Sequence, residues 1–252
     1  MNWGERNRQK LAHRALERQL VYQQRKAEHV RGREEEFVAA MTRSSQRVRE
    51  LLETFQPINS DARVIEVGSG AHGLIFYFGS ETRIGVDPLA VSYGSLFPGW
   101  QRRAQTVAAC GESLPFAAHS FDVVLCDNVV DHAESPKRIL RELARVLAPG
   151  GLLYFTVNIH HPIYAVAASL HSSWRAVGIP YEIGPFADHT IHLTLETAAT
   201  LFENLPLQIL SSKSNVDEAR ARARKQPPRH LGDRFKRVFF KNALYEVVAR
   251  RV

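Results

Sequence analysis

One stretch of this sequence combines small and acidic residues in a pattern able to do chemistry. Arg63 to Val67 is a short apolar, β-branched run that leads into Gly68-Ser69-Gly70, with Gly73 three residues further on. Glycines without a Cβ let backbone N–H groups come close to a polar ligand, and the helix start that follows such a loop favours a negative group. Asp87 stands 19 residues after Gly68, at the end of the next apolar run, Ile84 to Val86. A carboxylate there can accept two hydrogen bonds from a ribose diol. The pair points to an adenosine-containing ligand at strand tips.

Taken alone, that pair leaves nicotinamide dinucleotides and S-adenosylmethionine both open. Glu66 separates them. It is a carboxylate near the end of a buried strand, and burying it without a partner is costly, so a cation or a hydrogen-bond donor must meet it. The ammonium of a methionine moiety would do so, whereas a pyrophosphate would be repelled. Histidines form a second group: His132 soon after the run Phe121 to Cys126, His160 and His161 after the run Leu152 to Val157, and His189 and His192 later. Histidine is the side chain best tuned for proton transfer near neutral pH. These histidines lack a helical i, i+4 pairing with a carboxylate partner, so no metal is expected. Cys126 falls inside a strand and reads as an inert buried thiol.

The elements that must hold these residues alternate between strand and helix. Thr106 to Ala109 is a weak third strand, and Phe121 to Cys126 and Leu152 to Val157 are the clearest. Between the last two lies an amphipathic helix whose buried stripe is Ile139, Leu140, Leu143, Val146 and Leu147. Ser135 is placed to cap it, Pro136 suits its first position, and Pro149-Gly150-Gly151 stops it. Nearly all-apolar strands separated by helices indicate a parallel sheet covered on both faces, hence an α/β fold. Upstream, residues 1–56 hold no proline and only Gly4 and Gly32, and read as helix. Phe37, Met41, Val48, Leu52 and Phe55 give that segment one apolar stripe. It is expected to be a helical N-terminal extension packing on the main domain rather than a nucleic-acid arm, with the domain boundary at Pro57 to Asp61.

The chain has 252 residues, of which 44% are hydrophobic and 23% charged, as in an ordinary globular protein. No apolar run approaches the roughly 20 residues of a membrane span, the first residues lack the apolar stretch of a secretory signal, and only Cys110 and Cys126 occur. A cytoplasmic location is therefore expected. The net charge of +7 is unevenly spread. Residues 1–60 carry 12 Lys/Arg against 8 Asp/Glu, residues 61–210 carry 9 against 14, and residues 211–252 carry 12 against 4. The basic stretch 219–241, an expected insertion between the last two strands, suits a solvated helix against the acidic middle; RNA or another anionic surface is the competing partner.

Glu66-Val67-Gly68-Ser69-Gly70, Asp87, Leu114-Pro115-Phe116, Phe121-Asp122-Val123-Val124 and Leu147-Ala148-Pro149-Gly150-Gly151 together resemble the ordered motifs of class I S-adenosylmethionine-dependent methyltransferases, in particular the small-molecule group related to quinone biosynthesis. The resemblance covers about residues 62–160. It implies a doubly wound, mostly parallel, seven-stranded Rossmann-like sheet, with Leu207 to Leu210 and Leu244 to Arg250 as closing antiparallel strands. It also implies a cofactor site for S-adenosylmethionine, with S-adenosylhomocysteine as product. Glu66, Gly68, Ser69 and Gly70 would face the methionine part, Asp87 the ribose, Gly111, Glu112 and Ser113 the adenine, and Asp127 or Asn128 the methionine side. Two positions depart from the family: His72 stands where a glycine is usual, and Cys110 where many members have an aspartate for the adenine amino group.

The resemblance further implies transfer of a methyl group to a small-molecule acceptor. His132 and His161 are the candidate bases, needed only if the acceptor is a poor nucleophile. Residues 158–205, with Tyr164, Trp174, Tyr181, Phe186 and Ile191, are the expected acceptor side. A non-catalytic adenosyl-ligand sensor or assembly factor is the competing reading, and an RNA or protein methyltransferase working through the basic stretch is another.

Overall fold

The computed structural model describes residues 3–166, 191–225 and 242–252. Two helices open the chain, α1 (Trp3–Val30) and α2 (Glu34–Glu53). They are separated by Gly32, whose φ of +80° suits a residue without a side chain. Seven strands follow: β1 (Arg63–Val67), β2 (Thr82–Val86), β3 (Gln105–Val107), β4 (Phe121–Asp127), β5 (Leu147–Ile159), β6 (Leu207–Ser214) and β7 (Ala243–Arg251). The connecting helices are α3 (Ala90–Leu96), α4 (Pro98–Gln101), α5 (Pro136–Val146), α6 (Leu195–Ala199) and α7 (Val216–Lys225).

The strands form one sheet in the order β3-β2-β1-β4-β5-β7-β6. The first five are parallel, β7 runs against β5, and β6 pairs antiparallel with β7. Of the two closing strands, only β7 therefore opposes the common direction; β6 points the same way as the parallel set. The strand order, not the strand direction, reverses between β1 and β4, the position where open α/β sheets gather their ligands.

Alternation along the strands sorts the core into two layers. Ile65, Val67, Val124, Cys126, Leu153 and Phe155 face the layer that holds Ile139, Leu140 and Leu143 of α5. Val64, Val123, Leu125, Leu152, Tyr154 and Val248 face the layer that holds Met41, Val48 and Leu52 of α2. The N-terminal helices are thus one of the two covers the sheet requires. Polar contacts fix α2 in place: Ser45 donates to the Leu74 carbonyl at 2.6 Å, and Arg49 donates to the Phe78, Gly79 and Ile58 carbonyls.

Helix α5 starts differently from the expected way. Ser135 occupies the N-cap position, but its side chain makes no capping bond. The carboxylate of Glu112 does this instead, accepting the N–H groups of Glu134 at 3.0 Å and Ser135 at 3.3 Å. Farther along α5, Glu142 accepts the Leu114 N–H at 2.8 Å, and Arg145 donates to the carbonyls of Leu114 and Phe116. The loop Leu114-Pro115-Phe116 is thereby strapped to the helix that follows it.

Candidate functional site

The glycine loop lies between β1 and a 3-10 turn, Leu74–Tyr77. Gly68 N–H and Ser69 N–H both donate to the Val86 carbonyl, at 2.7 and 3.0 Å, and so hold the loop over the end of β2. From the other side, Trp100 Nε1 donates to the Ala71 carbonyl at 2.7 Å, and Gln101 Nε2 donates to Gly70 and Ala71. Nothing in the sequence pattern pointed to Trp100 or Gln101, because the short helix that carries them is defined only by where it packs.

The glycines of the loop have different neighbours. A Cβ on Gly68 would lie 2.2 Å from Val129 Cγ2, and one on Gly73 would lie 2.4 Å from Glu66 Oε2. A Cβ on Gly70 would meet nothing closer than 3.9 Å, so the space above it is open. Gly70 is therefore the glycine with room for a ligand above its Cα, while its own N–H and carbonyl are held by Asp87 and Gln101. Ser69 is buried, with its hydroxyl against the Cα side of Gly85.

Two acids frame the loop. Asp87 accepts the Gly70 N–H on Oδ2 at 3.1 Å and the Leu89 N–H on Oδ1 at 2.8 Å. Burial raises its pKa, and these two backbone donors pull it back. Both oxygens keep lone pairs for further donors. Glu66 is 1% exposed and accepts the Ile75 N–H at 2.9 Å. The donors that its burial demanded are thus backbone groups of its own loop. Burial still pushes its carboxyl up to about 8, with the neighbouring Asp127 and Asp87 adding to the rise.

At the tip of β4, Thr156 Oγ1 donates to Asp127, whose carboxyl is raised by burial. Asn128 has a φ of +58°, and its N–H donates to Thr156. Its Oδ1 accepts from Asn158 Nδ2 at 2.6 Å. Thr156 and Asn158 were not singled out, although two polar residues at alternate places in the apolar run Leu152 to Ile159 carry the signal. On the β3 side, Gly111 packs its Cα against Val67 and Ile139, and Ser113 is exposed. Glu112 is turned to the start of α5, as described above, and Cys110 is exposed.

His72 explains its own departure from a glycine. Its ring lies 4.8 Å from that of Phe97, 5.3 Å from Trp100 and 5.8 Å from Phe37 of α2. It fills the space between the loop and the N-terminal cover, and burial, together with nearby Lys26, lowers its pKa to about 4.

The other histidines gather near the ends of β4 and β5. His132 ends a 3-10 turn, Val130–His132, is 46% exposed at its side chain, and places Nε2 3.8 Å from Asp131, whose side chain is fully buried. His160 is buried, its ring stacked on Tyr164 at 5.2 Å and 5.0 Å from the ring of His192. His161 points elsewhere: it is half-buried, and its Nδ1 accepts the Ile163 N–H at 3.3 Å. Its pKa is lowered by burial and by Arg220. Tyr164 and Ile191 belong to the described residues, whereas Trp174, Tyr181, Phe186 and His189 lie outside them, as does the basic stretch from 226 to 241. Among the described residues, no helix is long and apolar enough to cross a membrane.

Residues 65–155 match the methyltransferase domain family. Among curated proteins, the chain is 36% identical over 77 residues to the thiol S-methyltransferase TMT1B of Rattus norvegicus, covering 29% of this chain and 32% of that protein. It is 31% identical over 138 residues to an uncharacterized methyltransferase of Mycobacterium sp. strain JLS, covering 52% and 44%. The matched stretches thus span less than half the length of these relatives. Among solved structures, YcgJ of Bacillus subtilis aligns with a TM-score of 0.55 at 17% identity, over 82% of this chain and 98% of that one. Geranyl diphosphate C-methyltransferase of Streptomyces coelicolor A3(2), solved with S-adenosyl-L-homocysteine, aligns with a TM-score of 0.56 at 13% identity, over 86% and 83%.

Proposed function

We propose that the chain is a class I S-adenosylmethionine-dependent methyltransferase and transfers the methyl group of S-adenosylmethionine to a small-molecule acceptor, a reading supported by the match of residues 65–155 to the methyltransferase domain family. The observation that carries this reading is the conjunction at the β1 and β2 tips: open space above Gly70 beside an Asp87 carboxylate with both oxygens already oriented. These residues fit an adenosyl ligand with a cationic amino-acid tail. Asp87 would take the ribose hydroxyls, and the backbone at Gly70 would admit the tail. Asp127 and Asn128 would border the methionine side.

When bound, S-adenosylmethionine supplies an activated methyl group on a positively charged sulfur. The protein's share of the work is to hold the acceptor in line and to keep water out. The ends of β4 and β5 supply the surface for this, with His132 exposed at the rim and the ring cluster of His160, Tyr164 and His192 behind it. His132 would accept a proton from a hydroxyl acceptor. A thiol acceptor ionises more readily and would need less help. Thiols come first in an acceptor screen, because the Rattus relative is named for that activity.

Calorimetric titration tests the reading. S-adenosylmethionine and S-adenosylhomocysteine are expected to bind, and nicotinamide dinucleotides are not. Methyl transfer is then sought with small thiols, phenols and amines. Binding of a nicotinamide dinucleotide in preference would overturn the proposal. Binding of S-adenosylmethionine without transfer to any acceptor class would favour a sensor. Salt-dependent binding of mixed RNA would redirect the acceptor toward nucleic acid.

A further inference from the structure

A polar ring joins the N-terminal helices to the sheet close to the proposed methionine end. Arg47 of α2 donates through Nη2 to Tyr154 Oη at 2.7 Å and to Glu246 Oε2 at 2.9 Å. Tyr154 Oη in turn donates to Glu246 Oε2 at 2.9 Å. Helix α2, β5 and β7 are closed into one three-membered contact. The strand register extends it. Glu246 stands opposite Thr156, and Thr156 stands opposite Asp127. Asp127, Thr156 and Glu246 thus form a row across three strands at one end of the sheet, with Thr156 donating to Asp127.

The charged and titratable groups around Asp127 come from several elements. Glu66 lies on β1, Cys126 precedes it on its own strand, Tyr154 is on β5, Glu246 on β7 and Arg47 on α2. Among these groups, Arg47 is the one cation. The others can only oppose a negative charge on Asp127 or leave it unaided.

We propose that Arg47 is a positioning residue for the cofactor site: anchored on Tyr154 and Glu246, at the end of the row Glu246–Thr156–Asp127, it places a positive charge on the side of Asp127 away from the ligand and favours the carboxylate that a cationic ligand needs. The proposal rests on the reading of Asp127 as a contact for the charged tail of S-adenosylmethionine, and it makes capture of that molecule depend on the N-terminal helices. Burial drives Asp127 toward its protonated form, the Thr156 hydrogen bond and then the field of Arg47 oppose this, and the field of Glu246 assists it. A protonated Asp127 no longer attracts a cation, so affinity falls as pH drops through its titration.

The two neighbours therefore give opposite signs. Arg47→Met removes the opposing field, and the fall in affinity moves to higher pH. Glu246→Gln removes the assisting one, and the fall moves to lower pH. Arg47→Lys keeps the charge and should restore the wild-type midpoint.

The experiment is calorimetric titration of the full chain with S-adenosylmethionine across an acid-to-neutral pH series, for the wild type and these three variants. At the wild-type midpoint pH, Arg47→Met is expected to bind about two- to fivefold more weakly, the effect of a shift of about half to one pKa unit. Thermal melts followed by circular dichroism show that each variant is folded, and if Arg47→Met is not, Glu246→Gln and Arg47→Lys still carry the sign test. A purely structural clamp would weaken binding at every pH in both Met and Gln variants without moving the midpoints apart. Midpoints that stay put or move together overturn the role of Arg47. A wild-type chain that binds no S-adenosylmethionine at any pH overturns the functional reading instead.

Discussion

Gly68 and Gly70 look interchangeable in the sequence, yet they answer to different neighbours, and replacing each should fail in a different way. Both have positive φ, which costs an L-residue about 1–2 kcal/mol. Gly68→Ala adds a collision with Val129 and should lower stability by roughly a further 1–3 kcal/mol in denaturant unfolding. Gly70→Ala should show only the backbone cost in unfolding, but a clear loss of S-adenosylmethionine affinity, because its methyl group enters the open space. Glu66 gives a pH prediction. Its folded-state pKa of about 8 lies above the ordinary glutamate value of 4.5, so between those values the folded form holds a proton that the unfolded chain releases. Stability therefore falls as pH rises through that window. Glu66→Gln should flatten the slope in a series of thermal melts, since an amide oxygen can still accept the Ile75 N–H.

Helix α5 shows how far local pattern reaches at the level of a single element. The apolar stripe from Ile139 to Val146 and the proline at its start were legible, because a 3.6-residue period and a fixed φ are local properties. Its true cap was not. Glu112 lies 22 residues before Glu134 in the chain, and only the fold brings its carboxylate to that helix start. The Arg47–Tyr154–Glu246 ring escaped for the same reason, its members being 107, 199 and 92 residues apart. By contrast, Asp87 could be found from sequence, since a strand, a short loop with one 3-10 turn and the next strand place it within one local unit. Glu112→Ala should cost about 1 kcal/mol of stability, the usual magnitude for a lost cap, whereas Ser135→Ala should cost little. Denaturant midpoints of the two variants decide between the carboxylate and the hydroxyl as the cap.

In the whole molecule, the N-terminal helices are part of the core. Met41, Val48 and Leu52 are buried against the same layer as Val64, Phe76, Phe78 and Tyr154. Deleting residues 1–56 should uncover that face and yield a chain that aggregates or loses cooperative unfolding, which size-exclusion chromatography and thermal melts would reveal. Even Leu52→Ala should cost about 2–5 kcal/mol. The sheet order carries a consequence for how the protein is made. Strand β7 sits between β5 and β6 but follows both in the chain. While a ribosome is still adding residues before Ala243, β6 has no seat, and the long apolar flank of β5 is a bare edge on the nascent chain. Such an edge is a template for pairing with a neighbour's strand, so a slow or crowded translation of this last segment is the moment when the protein is most exposed to misassembly.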